Sequence, residues 1–241
     1  MKHVVCMRWG DVYSDEYVTN LKEQLDQHLT VDYQFHEFTD EDIPDNGWDE
    51  VSRFFQDIRD PRHYSFDDMR DSGGLSHFKK IQLFGTNFGL EGDIVYMDLD
   101  VKIQNNIDWL FDLDSSKPWA IKNHWFAGER FRKNFAIHRS PMINTSVVKW
   151  RDDQMKPVYE FVESNLDKVM FTYNAIDNFL QDQFCGFHNG KSHLFNFYDK
   201  GKMVNFNEVT EEEIGEADIV TYPGMPIWVK EEHVLGGQPN V

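Results

Sequence analysis

Gly92-Asp93-Ile94-Val95-Tyr96-Met97-Asp98-Leu99-Asp100-Val101 is an apolar run that ends abruptly in two carboxylates. Ile94 to Met97 read as a buried strand, because four apolar residues in succession follow a Gly-Asp turn signal and include β-branched and aromatic types. Side chains alternate along an extended chain, so the spacing predicts Asp98 and Asp100 on one side and Leu99 on the other. Carboxylates at that spacing repel each other. They are most readily kept ionised when a divalent cation lies between them, which makes the pair a candidate metal or phosphate site. The chain supplies its own control, since Asp112-Leu113-Asp114 is the same triplet but leads into the loop residues Ser115-Ser116-Lys117-Pro118. Only the first copy ends a central strand, and ligands of open α/β sheets bind outside the carboxyl ends of strands. A calcium loop is a poor alternative, because Val101 and Ile103 follow and the turn glycine of that motif is missing.

The rest of the composition narrows the class. The chain has 241 residues, enough for one large α/β domain. No run approaches the roughly 18 apolar residues of a membrane span, and Met1 to Cys6 is too short an apolar start for a signal peptide, so a cytoplasmic protein is expected. The two cysteines, Cys6 and Cys185, form neither a disulfide framework nor a zinc pattern and read as buried free thiols. A net charge of −18 argues against a nucleic-acid partner. It also sets a condition: to hold an anionic phosphate, so acidic a chain needs either a bound cation or a few well-placed basic residues. Aromatics make up 15% of the chain, and exposed ones would suit stacking on a base or a sugar ring.

Working outward from the carboxylate strand, His3 to Trp9 form a first strand bounded by Gly10. Ser14 offers a helix N-cap, Asp15 and Glu16 favour the first turn, and Tyr17, Leu21, Leu25 and Leu29 recur at helical spacing. Val31, Tyr33 and Phe35 then alternate as a second strand, completing a βαβ unit. That topology puts the loop Arg8-Trp9-Gly10-Asp11-Val12-Tyr13 at the sheet edge where Asp98 and Asp100 emerge, with an arginine and two aromatics able to clamp a nucleotide. Residues 39–75 read as irregular, with a short helix from Trp48 to Ile58. Phe78, Ile81 and Phe84 place an apolar helix stripe just before the carboxylate strand, and Lys79-Lys80 is a rare basic pair beside it. Trp119 to Ile121 begin another strand, followed by a loop from His124 to Gly128. Met142 to Trp150 form a strand whose middle residues Asn144, Thr145 and Ser146 need polar partners. Val158, Phe161, Val162 and Leu166 mark one helix, and Ile176, Phe179 and Leu180 another that runs into Asp182 and Gln183. From His193 onward the tail reads as strand and loop. No repeat or low-complexity tract occurs.

In this order the pieces resemble a sugar-nucleotide-dependent glycosyltransferase of the A-type (GT-A) fold, similar to the small transferases grouped with glycogenin and the lipopolysaccharide galactosyltransferases. The resemblance is carried by Met7-Arg8-Trp9-Gly10 with Tyr13, by Phe78-Lys79-Lys80-Ile81-Gln82-Leu83-Phe84, by Asp98-Leu99-Asp100, by Asn144-Thr145-Ser146-Val147 and by Asp182-Gln183, with a weaker match at Ile219 to Gly224. It implies a single Rossmann-type α/β domain over residues 1–241, with a mixed, mostly parallel sheet flanked by helices. Residues 1–114 would form a nucleotide-binding half and 115–241 an acceptor and sugar half. Asp98 and Asp100 would bind Mn²⁺ or Mg²⁺ bridging the two phosphates of a UDP- or GDP-sugar, where the cation stabilises the departing diphosphate. Met7, Arg8, Trp9, Tyr13, Lys80, Asp98, Leu99 and Asn144 would line the donor site. Asp182 and Gln183 would lie against the anomeric carbon, as in members that retain its configuration. A glycan or another hydroxyl compound would be the acceptor.

The tail departs from that pattern. Relatives carry a His-Gly pair followed by Lys-Pro, the histidine as third metal ligand and the lysine on the diphosphate; here Pro223-Gly224 and Met225-Pro226 stand in their place. Proline has no ligating side chain and methionine cannot pair with phosphate, so the third ligand would be water or another histidine such as His233 or His188. The rival expectation is a transferase-like module that binds a sugar nucleotide or glycan with weak or no turnover. Nucleotidyl transfer fits less well, because no Gly-rich phosphate loop follows the first strand.

Overall fold

The computed structural model of the chain describes residues 1–8, 10, 13–39, 41–43, 47–48, 76–122, 143–173, 175–185, 194–199, 201–206, 209–222 and 227–236. A six-stranded mixed sheet runs through it in the order β2-β1-β3-β6-β5-β7, formed by β1 (Lys2–Arg8), β2 (Gln34–Thr39), β3 (Asp93–Met97), β5 (Trp119–Lys122), β6 (Ile143–Arg151) and β7 (Asn196–Phe197). The pairings of β1 with β2, β1 with β3 and β5 with β7 are parallel, while β6 runs antiparallel to both β3 and β5. A smaller sheet, in the order β4-β9-β8, joins β4 (Val101–Ile103), β8 (Met203–Asn205) and β9 (Ile219–Thr221).

The period of two in the central strands sorts their side chains into two cores. Val5, Met7, Ile94 and Tyr96 face one, together with Phe84, Trp150 and Phe179. Val4, Cys6, Val95 and Met97 face the other, together with Tyr17, Leu21 and Leu25 of α1 (Asp15–His28). The stripe of Phe78, Ile81 and Phe84 on α2 (Ser76–Thr86) is buried against the first core, with Phe84 edge-on to Trp150. Both cysteines are free and buried. At the foot of β3, Gly92 has φ of 105°, and a Cβ there would fall 2.3 Å from the Met1 carbonyl oxygen. Only glycine lets β1 and β3 start this close together.

Three expectations are corrected. The second strand begins at Gln34 rather than Val31, because Thr30 and Val31 bond to the Asp108 carboxylate and Tyr33 donates to Asp26 on α1. The helix foreseen through Leu166 is two helices, α4 (Lys156–Ser164) and α5 (Leu166–Thr172). They part at Asn165, whose side-chain amide donates to the Phe161 carbonyl. The tail holds helices as well as strands: α7 (Glu211–Glu216), started by a Thr210–Glu213 capping box, and α8 (Ile227–His233). The remaining α-helices among the described residues are α3 (Trp109–Asp112) and α6 (Ile176–Phe184). The second Asp-x-Asp copy ends no strand but runs from the last residue of α3 into loop, with Asp114 exposed and bonded to Ser116. The helix foreseen beyond Trp48 and the loop from His124 to Gly128 lie outside the described residues. No helix among those described is long and apolar enough to cross a membrane.

Candidate active site

At the carboxyl end of β3 the chain turns through Asp98, Leu99 and Asp100 into β4. Three contacts fix this turn. The Asp98 amide donates to the Ser146 carbonyl of β6 at 2.8 Å, Leu99 is buried in the second core, and the Asp100 carbonyl accepts from the Tyr222 amide at 3.2 Å. The carboxylates beside Leu99 therefore have little freedom, and each has its own cation.

Asp98 Oδ1 accepts from Lys80 Nζ at 2.6 Å and from the Tyr96 hydroxyl at 2.7 Å. Lys80 is carried by α2 and its side chain is 6% exposed, against 22% for Asp98. Its ammonium also donates to the Thr145 carbonyl at 3.3 Å and lies 4.8 Å from the centre of the Tyr96 ring. Burial opposes ionisation of Asp98, but the Lys80 charge and the hydrogen bonds from Lys80, Tyr96 and Ser146 hold its carboxyl below the usual carboxylate range. Burial, with the Asp98 charge, pushes the Tyr96 phenol up.

Asp100 is served from the other side. Its Oδ2 accepts from Lys230 Nζ of α8 at 2.7 Å and from the Tyr13 hydroxyl at 3.1 Å, and Lys230 in turn donates to the Tyr13 oxygen at 2.8 Å. The Lys230 and Asp100 side chains are only 10% and 8% exposed. Burial, then the Asp100 charge, raises the Tyr13 phenol, so it stays a protonated donor.

A third carboxylate joins the cluster from the opening turn of α6. Asp177 accepts from the Thr145 amide at 3.1 Å and from its hydroxyl at 2.7 Å. Burial pushes its carboxyl up to about 6, against the Thr145 bonds and the Lys80 charge. The polar middle of β6 is thus accounted for: Thr145 serves Asp177 and Lys80, Ser146 serves Asp98, and Asn144 Oδ1 caps the Ser146 amide at 2.8 Å.

The residues present do not fit a divalent cation as they are arranged. No group of three His, Cys, Asp or Glu side chains able to hold a metal occurs among the described residues. Both aspartates are engaged by lysines, and removing one partner of a buried ion pair costs ~3–5 kcal/mol. A metal would have to overcome that cost at each carboxylate. His233, one of the two histidines considered as a third ligand, is packed against the stacked rings of Phe206 and Tyr222. Pro223 to Pro226 and His188 lie outside the described residues.

The other residues singled out from the sequence are placed as follows. Met7 and Leu99 are core side chains. Arg8 pairs with Glu37 at 2.8 Å and Asp15 at 3.2 Å. Trp9 lies outside the described residues. Asp182 and Gln183 are on α6, but Asp182 is rotated by roughly 140° from Asp177 about the helix axis, and the Gln183 amide donates to the Tyr173 hydroxyl. It is Asp177, not Asp182 or Gln183, that α6 brings to Asp98's neighbourhood. Two charged residues of the cluster, and the Tyr96 hydroxyl, carry no signal of their role in the sequence. Asp177 opens the apolar spacing of α6 as an ordinary first-turn acid, and Lys230 is on a helix the tail was not expected to contain.

No family model and no curated protein matches the sequence. Solved structures do share its architecture. A glycosyltransferase involved in glycosylating the major capsid of PBCV-1 superposes with a TM-score of 0.53 at 12% identity, over 98% of this chain and 99% of that one. The galactosyltransferase LgtC, in complex with donor and acceptor sugar analogs, gives 0.52 at 12% identity over 92% and 87%. The glycosyltransferase GlyE of Streptococcus pneumoniae TIGR4 gives 0.57 at 13% identity over 98% of this chain and 61% of that one. The chain has the A-type glycosyltransferase fold. At these identities the likeness is one of fold, and the chemistry rests on the cluster around Asp98 and Asp100.

Proposed function

We propose that the chain is a glycosyltransferase that moves a hexose from a nucleoside diphosphate sugar, UDP- or GDP-linked, to a hydroxyl of a glycan or similar acceptor. The observation that carries the reading is the buried Lys80–Asp98 and Lys230–Asp100 cluster at the carboxyl end of β3, in a fold shared with glycosyltransferases. In the reaction the bond from the anomeric carbon to the diphosphate breaks, the acceptor oxygen bonds to that carbon, and the hydroxyl proton is released. Negative charge grows on the departing diphosphate, and fixed positive charge in a low-dielectric pocket lowers that barrier. Lys80 and Lys230 are positioned to supply it. Tyr13 and Tyr96, held as protonated donors, orient the two carboxylates. Donor binding falls to residues 1–114, with Trp9 and Tyr13 as the aromatic candidates for the base and Arg8 for a phosphate or the ribose, together with Lys230, which the second half contributes.

One observation favours a second reading, a donor-binding module without turnover: α6 turns Asp182 and Gln183 away from the carboxylate that Asp177 approaches. Calorimetry with UDP, GDP and their hexose conjugates, followed by a donor-hydrolysis and transfer assay, separates the two. Transfer or hydrolysis of one conjugate is expected. Saturable binding with no turnover supports the module, and no binding of any nucleotide refutes both.

A further inference from the structure

We infer that Lys230 is a built-in cation of the donor site, doing at Asp100 what a divalent metal would do, so that this chain binds its nucleoside diphosphate without metal. The inference rests on the donor-site reading above and goes beyond it in naming the charge that faces the diphosphate. Charge balance is the first ground. Two carboxylates and one divalent cation sum to zero, and so do Asp98 and Asp100 with the ammonium groups of Lys80 and Lys230. Asp177, ionised above about pH 6, adds the same negative charge in either case, so an arriving diphosphate meets the same net charge either way, whereas a metal added to the existing cluster would leave surplus positive charge inside the protein.

Geometry is the second. Lys230 Nζ makes an ion pair with Asp100 Oδ2 at 2.7 Å and donates to the Tyr13 hydroxyl at 2.8 Å. An ammonium has three N–H donors, and the third has no partner among the described residues, which leaves it for a phosphate oxygen. Tyr13 closes the triangle by donating to Asp100 at 3.1 Å, and the ammonium lies 5.2 Å from the centre of the Tyr13 ring. The ammonium is therefore held on two sides rather than swinging on a flexible stem, as a substitute for a coordinated ion must be. The sequence is consistent with this. The tail residues Pro223 and Met225 bring no metal ligand and no phosphate-binding side chain, and Lys230 follows five residues after Met225. An acidic chain that needs a cation to hold phosphate carries it covalently.

The test is calorimetric titration of the full chain with UDP and with GDP, each in EDTA and in Mn²⁺, together with titration of Mn²⁺ alone. One nucleotide is expected to bind with the same affinity in EDTA and in Mn²⁺, and Mn²⁺ alone to show no saturable binding. Lys230→Met should weaken binding in EDTA by about tenfold or more, the loss of one charge-assisted hydrogen bond. With Asp100 released, it should also make binding respond to Mn²⁺. Lys230→Arg, which keeps the charge, should stay metal-independent, and thermal melts of both variants check that they fold. Wild-type binding that vanishes in EDTA and returns with Mn²⁺ overturns the lysine assignment while leaving the donor site standing. Absence of nucleotide binding in both conditions overturns the donor-site reading itself and this inference with it.

Discussion

Replacing Asp98 by asparagine keeps the shape of the side chain and removes the charge that Lys80 faces, and the sign of its effect on stability separates two pictures of the site. If the two aspartates were an unrelieved like-charge pair awaiting a metal, removing one charge would stabilise the metal-free protein. In the structure Lys80 Nζ lies 2.6 Å from Asp98 Oδ1 and is nearly inaccessible, so the substitution instead strands a buried ammonium. Breaking a buried pair in this way costs ~3–5 kcal/mol. The 22% exposure of the Asp98 side chain argues for the lower end, ~3 kcal/mol. For a chain of this size each kcal/mol lowers Tm by about 2–4 °C, so Asp98→Asn should melt about 6–12 °C below wild type. The assay is calorimetric or circular-dichroism melting at neutral pH in EDTA. The double variant Lys80→Met with Asp98→Asn should recover much of the loss, because it leaves no charge stranded, and the double-mutant cycle measures the coupling. A single variant that melts at or above the wild-type temperature would refute the ion-paired picture.

Three other outcomes follow from the structure. Asp177 keeps its proton up to about pH 6, while the unfolded carboxyl ionises near 3.8. The native state therefore binds more protons across that window, and this group's contribution makes stability fall as pH rises through it. Asp177→Asn should match wild type below about pH 4 and exceed it by up to ~3 kcal/mol above about pH 6 in urea titrations; a constant difference at both ends would contradict this. Burial pushes the Cys6 and Cys185 thiols up to about 12, so neither should react with a thiol reagent in the native protein and both should react in denaturant. Gly92→Ala drives a Cβ to 2.3 Å from the Met1 carbonyl at a φ of 105°, and should destabilise by ~1–3 kcal/mol, read as a lowered Tm.

Much of the fold was legible because the central strands and first helices announce themselves by period. Ile94 to Met97, the Tyr17-Leu21-Leu25 stripe and the Phe78-Ile81-Phe84 stripe are all decided by which face is buried. The edges of elements were less legible, since Thr30 and Val31 are held out of β2 by Asp108, a partner far along the chain. The site divides the same way. Asp98, Asp100, Lys80 and Tyr13 stand where strand ends and a preceding helix put them. Lys230 lies 130 residues beyond Asp100 on a seven-residue helix too short to show a period, so only the folded chain pairs them. Likeness of sequence points to Asp182 and Gln183, and helical rotation carries them past the face that Asp177 occupies.

Two polar contacts tie α8 and the residue that follows it to the rest of the chain: Lys230 to Asp100, and the Asn20 side-chain amide of α1 to the Val234 carbonyl at 3.1 Å. Local opening of the chain's last elements cannot then be a private event. Any fluctuation that lifts α8 uncovers the Asp100 carboxylate and loosens the middle of α1 at once, so these segments form one cooperative unit for amide hydrogen exchange. A ligand engaging Lys230 slows exchange along both helices together, which makes α1, remote in sequence from the tail, a reporter of whether the pocket is filled.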